Sequence, residues 1–179
     1  MTAANPLLDR IEQFAGRTVL VLGDVMLDAY VYGHVERVSP EAPIPVLRID
    51  NKREMLGGAG NVARNVAALG ARAILIGVSG PDEAGRAIQA QLLAAGQGRI
   101  DGRMVVDDAR PTTRKTRYVS GSQQMLRVDE EISLPVIGAV ADAVLACFRE
   151  ALAVSDIVIL SDYSKGVLSL AVLAPETSS

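Results

Sequence analysis

Residues 57–80 read GGAGNVARNVAALGARAILIGVSG, and the change of rhythm inside this stretch sets the fold. From Gly60 the apolar residues recur at helical spacing as far as Leu69, and Gly70 stands where a helix C-cap favours glycine. From Ala71 to Gly80 the apolar residues run almost unbroken, as in a short strand covered on both faces. The strand signature recurs in TVLVLGD (18–24) and SDIVILSD (155–162), and helical patterns fill PDEAGRAIQAQLLAAG (81–96) and PVIGAVADAVLACFREALAV (135–154). Strand and helix alternating in this way predict a doubly wound, mostly parallel α/β sheet.

Two segments break the alternation. Residues 29–51 and 112–129 alternate polar with apolar side chains around Pro and Ser-Gly breaks, the pattern of β-hairpin arms. In the second arm, Arg114, Thr116 and Tyr118 are expected on one side and Lys115, Arg117 and Val119 on the other, with the chain turning at Ser120-Gly121-Ser122. A two-faced hairpin does not fit a sheet covered by helices, so the arms are expected to form a small β-sheet lid over a ligand or against another lid.

The 179 residues are 49% hydrophobic and 22% charged, a globular composition with room for one core. With 18 basic and 21 acidic residues and a net charge of -3, there is no broad field to draw a polyanion, so nucleic acid is not an expected partner and a small molecule is. The single cysteine, Cys147, lies in a helical apolar pattern and reads as a buried small hydrophobe. The first residues, MTAANPLLDRIEQFAG, lack the unbroken apolar core of a signal peptide and no run approaches membrane-spanning length. A cytoplasmic protein without membrane contact is expected. A sheet of three apparent strands would leave an apolar strand at its edge, which predicts that the chain is part of a larger fold.

Three stretches offer chemistry. GDVMLD (23–28) places Asp24 and Asp28 at the carboxyl end of the first strand, where open α/β sheets hold ligands. Either carboxylate can accept from a sugar hydroxyl, and Asp24 can instead cap a turn. The glycines at 57, 58 and 60 allow close approach of backbone to ligand at a helix start, with Asn61 offering both donor and acceptor. LSDYSKG (160–166) brings Asp162 and Lys165 to the end of another strand, and a lysine there suits a phosphate. Arg114, Lys115, Arg117 and Arg127 form a basic group on the second arm, and His34 reads as a surface residue of the first. Gly58-x-Gly60-x-x-Ala63 with Asp82 also matches a dinucleotide fingerprint, which raises a nicotinamide-dependent oxidoreductase as a competing reading. The pattern is misplaced for that role, because the fingerprint belongs directly after the first strand.

GDVMLD, GGAGNVARNVAALGA and LSDYSKG, in that order and separated by two lid arms, resemble the N-terminal part of ribokinase/PfkB-type carbohydrate kinases. RVSPEAPIPVLRID, TTRKTRYVSGSQQMLRVDEE and LSDYSKGVLS are similar to the heptose 7-phosphate kinase branch, and the resemblance runs from Thr18 to Leu173. It implies a ribokinase-like fold and ATP-dependent phosphorylation, with Mg, of D-glycero-β-D-manno-heptose 7-phosphate at its anomeric hydroxyl, a step toward ADP-heptose and lipopolysaccharide core. Carried over by position, Asp28, Gly57, Gly58 and Asn61, with Arg127 of the lid, would hold the sugar, and Lys165 and Lys115 the phosphate. The lids would pair in a homodimer. The family's Asp-Thr-x-Gly-Ala-Gly-Asp segment, which supplies anion hole and base, has no counterpart in residues 1–179. The chain is therefore expected to be the N-terminal, truncated part of a kinase domain, inactive alone, without the C-terminal ATP-binding part or a fused adenylyltransferase. The alternatives are a non-catalytic sugar-phosphate-binding or dimerising fragment and another PfkB-type sugar kinase.

Overall fold

A computed structural model describes residues 12–174, so most of the N-terminal amphipathic segment and the last five residues lie outside the described chain. The first element is β1 (Thr18–Gly23), and its alternation divides the interior. Val19 and Val21 point into a core shared with helices α1 (Ala59–Ala68) and α2 (Glu83–Ala94), through Ala63, Val66, Ile88 and Leu92. Leu20 and Leu22 point the other way, against Val144 and Leu145 of α3 (Gly138–Leu152). Period-2 side chains on a strand buried on both faces require two covering layers. The doubly wound expectation is met.

Beside β1 lie β4 (Arg72–Ser79) and β8 (Ile157–Ser161), both parallel to it, and β5 (Ile100–Val106) completes the order β5-β4-β1-β8. Sequence reading finds three of these four strands. Asp101, Gly102 and Arg103 interrupt the apolar run of β5, whose residues are only partly buried at the sheet's outer edge. At the opposite edge, Ile157, Val158 and Leu160 of β8 are exposed, as expected of an apolar edge strand.

The lid is a second four-stranded sheet, and its order is β3-β2-β6-β7, from β2 (Val25–Val38), β3 (Pro45–Gly58), β6 (Arg114–Ser120) and β7 (Gln123–Glu130). β2 pairs with β3 and β6 with β7 antiparallel, while β2 and β6 are parallel. The second arm is the hairpin of β6 and β7, with Gly121 at φ +60 in its turn. The first arm is longer than residues 29–51. β2 leaves β1 across Asp24 alone, and β3 returns as far as Gly58, so Gly57 and Gly58 end a strand rather than form a loop. A last short helix, α4, covers Leu170–Leu173. No helix among the described residues is long and apolar enough to cross a membrane.

Candidate functional site

Asp24 sits where sheet and lid meet, and it is 1% exposed. Its backbone N–H donates to the Ser161 carbonyl at 3.1 Å, and its carbonyl accepts from the Ala59 N–H at 2.9 Å. The carboxylate accepts three more backbone N–H groups: Tyr163 at 2.8 Å and Lys165 at 3.0 Å on Oδ2, and Val167 at 3.1 Å on Oδ1. Of the two roles open to Asp24, the structure assigns the turn cap. The residue ties all three sequence motifs together, which local patterns do not reveal.

Two glycines fit this junction for separate reasons. Gly58 has φ +54, a conformation that glycine tolerates and other residues avoid, and a Cβ there would run into the Asp24 carbonyl. A Cβ on Gly57 would run into the Asp28 carboxylate and the Met26 side chain. Its absence lets the carboxylate lie against the end of β3. Asp28 Oδ1 accepts from Arg117 Nη1 at 2.6 Å, and the Arg117 guanidinium lies 5.2 Å from the Tyr30 ring centre. This ion pair, with a smaller cost from burial, raises the Arg117 pKa. Asn61 projects from the first turn of α1 and is exposed.

The register β2 to β6 sets Asp28 opposite Lys115, and β6 to β7 sets Lys115 opposite Asp129 and Arg117 opposite Arg127. Asp28, Lys115, Arg117 and Arg127 therefore share one face of the lid, whereas Arg114 reaches Glu54 on the other. Lys115 Nζ donates to Asp129 at 3.1 Å and to Glu131 at 2.8 Å, while Lys165 Nζ from the body loop donates to the other Glu131 oxygen at 2.8 Å. Arg127 pairs with Asp129 at 3.0 Å. Burial works against the charge on Lys115, but its hydrogen bonds to Glu131 and Asp129 outweigh that and raise its pKa. The same bonds from Lys115 and Lys165 hold Glu131 below the usual carboxylate range.

The structure thus brings Gly57 against Asp28 and links Lys115 to Lys165 through Glu131 and to Arg127 through Asp129, while Asn61 stands exposed at the start of α1. Asp162 is turned to local use, its carboxylate accepting from the Ser164 N–H at 2.7 Å. Glu131 and Asp129 are the charged residues that sequence reading missed. The run VDEE (128–131) was their only signal, and it does not name partners. His34 is exposed and lies 3.1 Å from Asp50, a surface pair. The oxidoreductase reading loses its acidic residue: Asp82 caps α2 through the Gly85 N–H at 2.8 Å and accepts from the Thr112 N–H at 2.8 Å. It lies in a strand-to-helix turn with both oxygens taken by backbone N–H groups.

A parallel sheet flanked by helices, a projecting lid, and a polar junction between them define the class. Residues 17–166 match the family described as pfkB family carbohydrate kinase, and the chain belongs to that family. It is 58% identical over 160 residues to the bifunctional protein HldE of Caulobacter vibrioides, an alignment covering 89% of this chain and 32% of that protein. The chain thus spans about a third of the length of the curated relatives it matches. Among solved structures, the microbiome-derived acarbose kinase Mak1 superposes with a TM-score of 0.60 at 24% identity, covering 80% of this chain and 45% of that one. Arabidopsis thaliana ribokinase complexed with ribose and ATP does so with a TM-score of 0.54 at 19% identity, over 80% of this chain and 45% of that one. At these identities the structural matches speak for the fold, which is ribokinase-like.

Proposed function

We propose that residues 1–179 form the sugar-binding part of an ATP-dependent kinase acting on the anomeric hydroxyl of D-glycero-β-D-manno-heptose 7-phosphate, a cytoplasmic step toward ADP-heptose and lipopolysaccharide core. The observation that carries this reading is the convergence of two lysines, one from the lid and one from the body, on a single carboxylate; Asp28, Gly57, Gly58 and Asn61 are proposed as the group that holds the sugar hydroxyls. The Asp28 carboxylate accepts from sugar hydroxyls and the Asn61 amide both accepts and donates, Gly57 makes room for the Asp28 carboxylate and Gly58 lets the chain turn into α1 beside it, and Arg127 closes the lid side. Lys115 and Lys165 meet the phosphate as point charges. The relation to the bifunctional protein HldE supports a heptose substrate.

Transfer itself is assigned elsewhere. Asp24 is filled by three N–H groups, Asp28 is paired with Arg117, and Asp162 serves a turn, so these junction carboxylates are engaged and none offers a general base. ATP and Mg enter with the family. Among the described residues no three acidic, histidine or cysteine side chains converge where a metal would sit. The expectation is binding without turnover by residues 1–179 alone, with nucleotide site and base supplied by a further, C-terminal part.

A homodimer through the lid is part of the same proposal. Val38, Ile44, Ile49, Leu126 and Val128 are exposed on the lid, and a hollow of about 400 Å³ there is lined by Val35, Pro45, Leu47, Tyr118 and Met125 among others. The deciding experiment is calorimetric titration of the chain with the heptose 7-phosphate, comparing wild type with Asp28→Ala and Asn61→Ala. Each variant is expected to lose about 1–3 kcal/mol of binding. Unchanged affinity in both removes the site. Turnover by residues 1–179 with ATP removes the assignment of the base to another part.

A further inference from the structure

Glu131 lies one residue past β7, and its carboxylate occupies the point on which the two lysines converge. One oxygen accepts from Lys165 Nζ and the other from Lys115 Nζ, each at 2.8 Å. The side chains are 23%, 17% and 15% exposed for Glu131, Lys165 and Lys115, so the site is shielded yet open to exchange with solvent. Two ammonium groups held a carboxylate's width apart make an anion seat, and a phosphate offers the same acceptor geometry with an extra oxygen and more charge. The surroundings balance a dianion. With Glu131 removed from the count, Lys115 and Arg127 still pair with Asp129 while Lys165 loses its carboxylate, three cations against one anion.

We propose that Lys115 and Lys165 form a phosphate seat whose resident occupant is the Glu131 carboxylate, and that a phosphorylated sugar enters by displacing it. This rests on the assignment of both lysines to phosphate. Glu131 then acts as a specificity determinant. A neutral sugar end cannot replace a carboxylate between two ammonium groups, whereas a dianion can, so entry becomes conditional on the phosphate. Displacement also transfers the bridge between lid and body from the protein's own carboxylate to the ligand. The lid is tied down by substrate rather than by Glu131.

The test titrates wild type, Glu131→Gln, Lys115→Met and Lys165→Met with inorganic phosphate by calorimetry. An occupant that leaves the seat free about a tenth of the time weakens apparent affinity about tenfold, so Glu131→Gln is expected to bind phosphate about tenfold more tightly than wild type. Both lysine variants are expected to bind more weakly than wild type. Glu131→Gln binding no better than wild type, or neither binding at all, overturns the displacement proposal. Lysine variants that match wild type overturn the phosphate assignment beneath it, so the two failures are distinct. Should Glu131→Gln not fold, the carboxyl carbon resonance of Glu131 in labelled wild type provides the second readout. It is expected to move along the phosphate saturation curve, and a stationary resonance overturns the proposal.

Discussion

Replacing Asp24 by asparagine changes one oxygen to an amide nitrogen at nearly constant volume, yet it strikes the residue that joins sheet, lid and the Lys165 loop. Oriented to keep its oxygen toward Tyr163 and Lys165, the amide points its own N–H₂ at the Val167 N–H, donor against donor. Turned over, it keeps Val167 and loses the other two. Each buried donor left unpaired costs about 1–3 kcal/mol, so Asp24→Asn is expected to destabilise by about 2–3 kcal/mol. Asp24→Ala abandons all three donors, and partial hydration of the surface loop limits its cost to about 3–5 kcal/mol. Against a total stability of about 5–15 kcal/mol, either loss is large. Urea unfolding of the purified chain measures it: with a slope of about 2 kcal/mol per M, Asp24→Asn lowers the midpoint by about 1 M at unchanged slope. Hydrogen exchange locates it, with protection lost first at Tyr163, Lys165 and Val167. A midpoint within about 0.2 M of wild type, with those three amides still protected, refutes the hub assigned to Asp24.

Gly58→Ala places a Cβ in the left-handed region and against the Asp24 carbonyl, and is expected to cost at least about 1–2 kcal/mol in the same urea assay. Gly57→Ala pushes the Asp28 carboxylate off its seat and is expected to weaken sugar-phosphate binding, read by calorimetry; equal affinity would sink that role. Acid stability follows from Asp82, Asp129 and Glu131. Burial raises the first two, but N–H and lysine or arginine partners outweigh it, and all three carboxyls are held below their ordinary values. The unfolded chain therefore takes up these protons first as pH falls, and stability, complete above the ordinary carboxylate range, declines from about pH 4 downward through the lowered folded values. Asp82→Asn is expected to flatten that decline in urea midpoints taken across pH, and an unchanged slope contradicts it. Leu126→Glu on the exposed lid face is expected to shift sedimentation toward monomer, whereas a wild-type chain that is already monomeric at high concentration rules out the lid dimer.

The elements legible from sequence are those whose burial is written locally. β1, β4 and β8 carry near-continuous apolar runs because a parallel strand between helix layers hides both faces, and α1 to α3 carry apolar residues at helical spacing because each hides one. The lid arms are legible by alternation and the glycines at 57 and 58 by their clustering ahead of a helix start, whereas the contacts with Asp28 and Asp24 that exclude a side chain there come only with the fold. β5 was lost because an edge strand tolerates Asp101, Gly102 and Arg103, which erase the pattern. What only the tertiary structure decided is which charges meet. Asp24 finds its three N–H donors in residues 163–167, and Glu131 draws Lys115 from the lid and Lys165 from the body. A carboxylate's partners are set by which segments the sheet and the lid bring within about 3 Å, a distance in space that spacing along the chain does not encode.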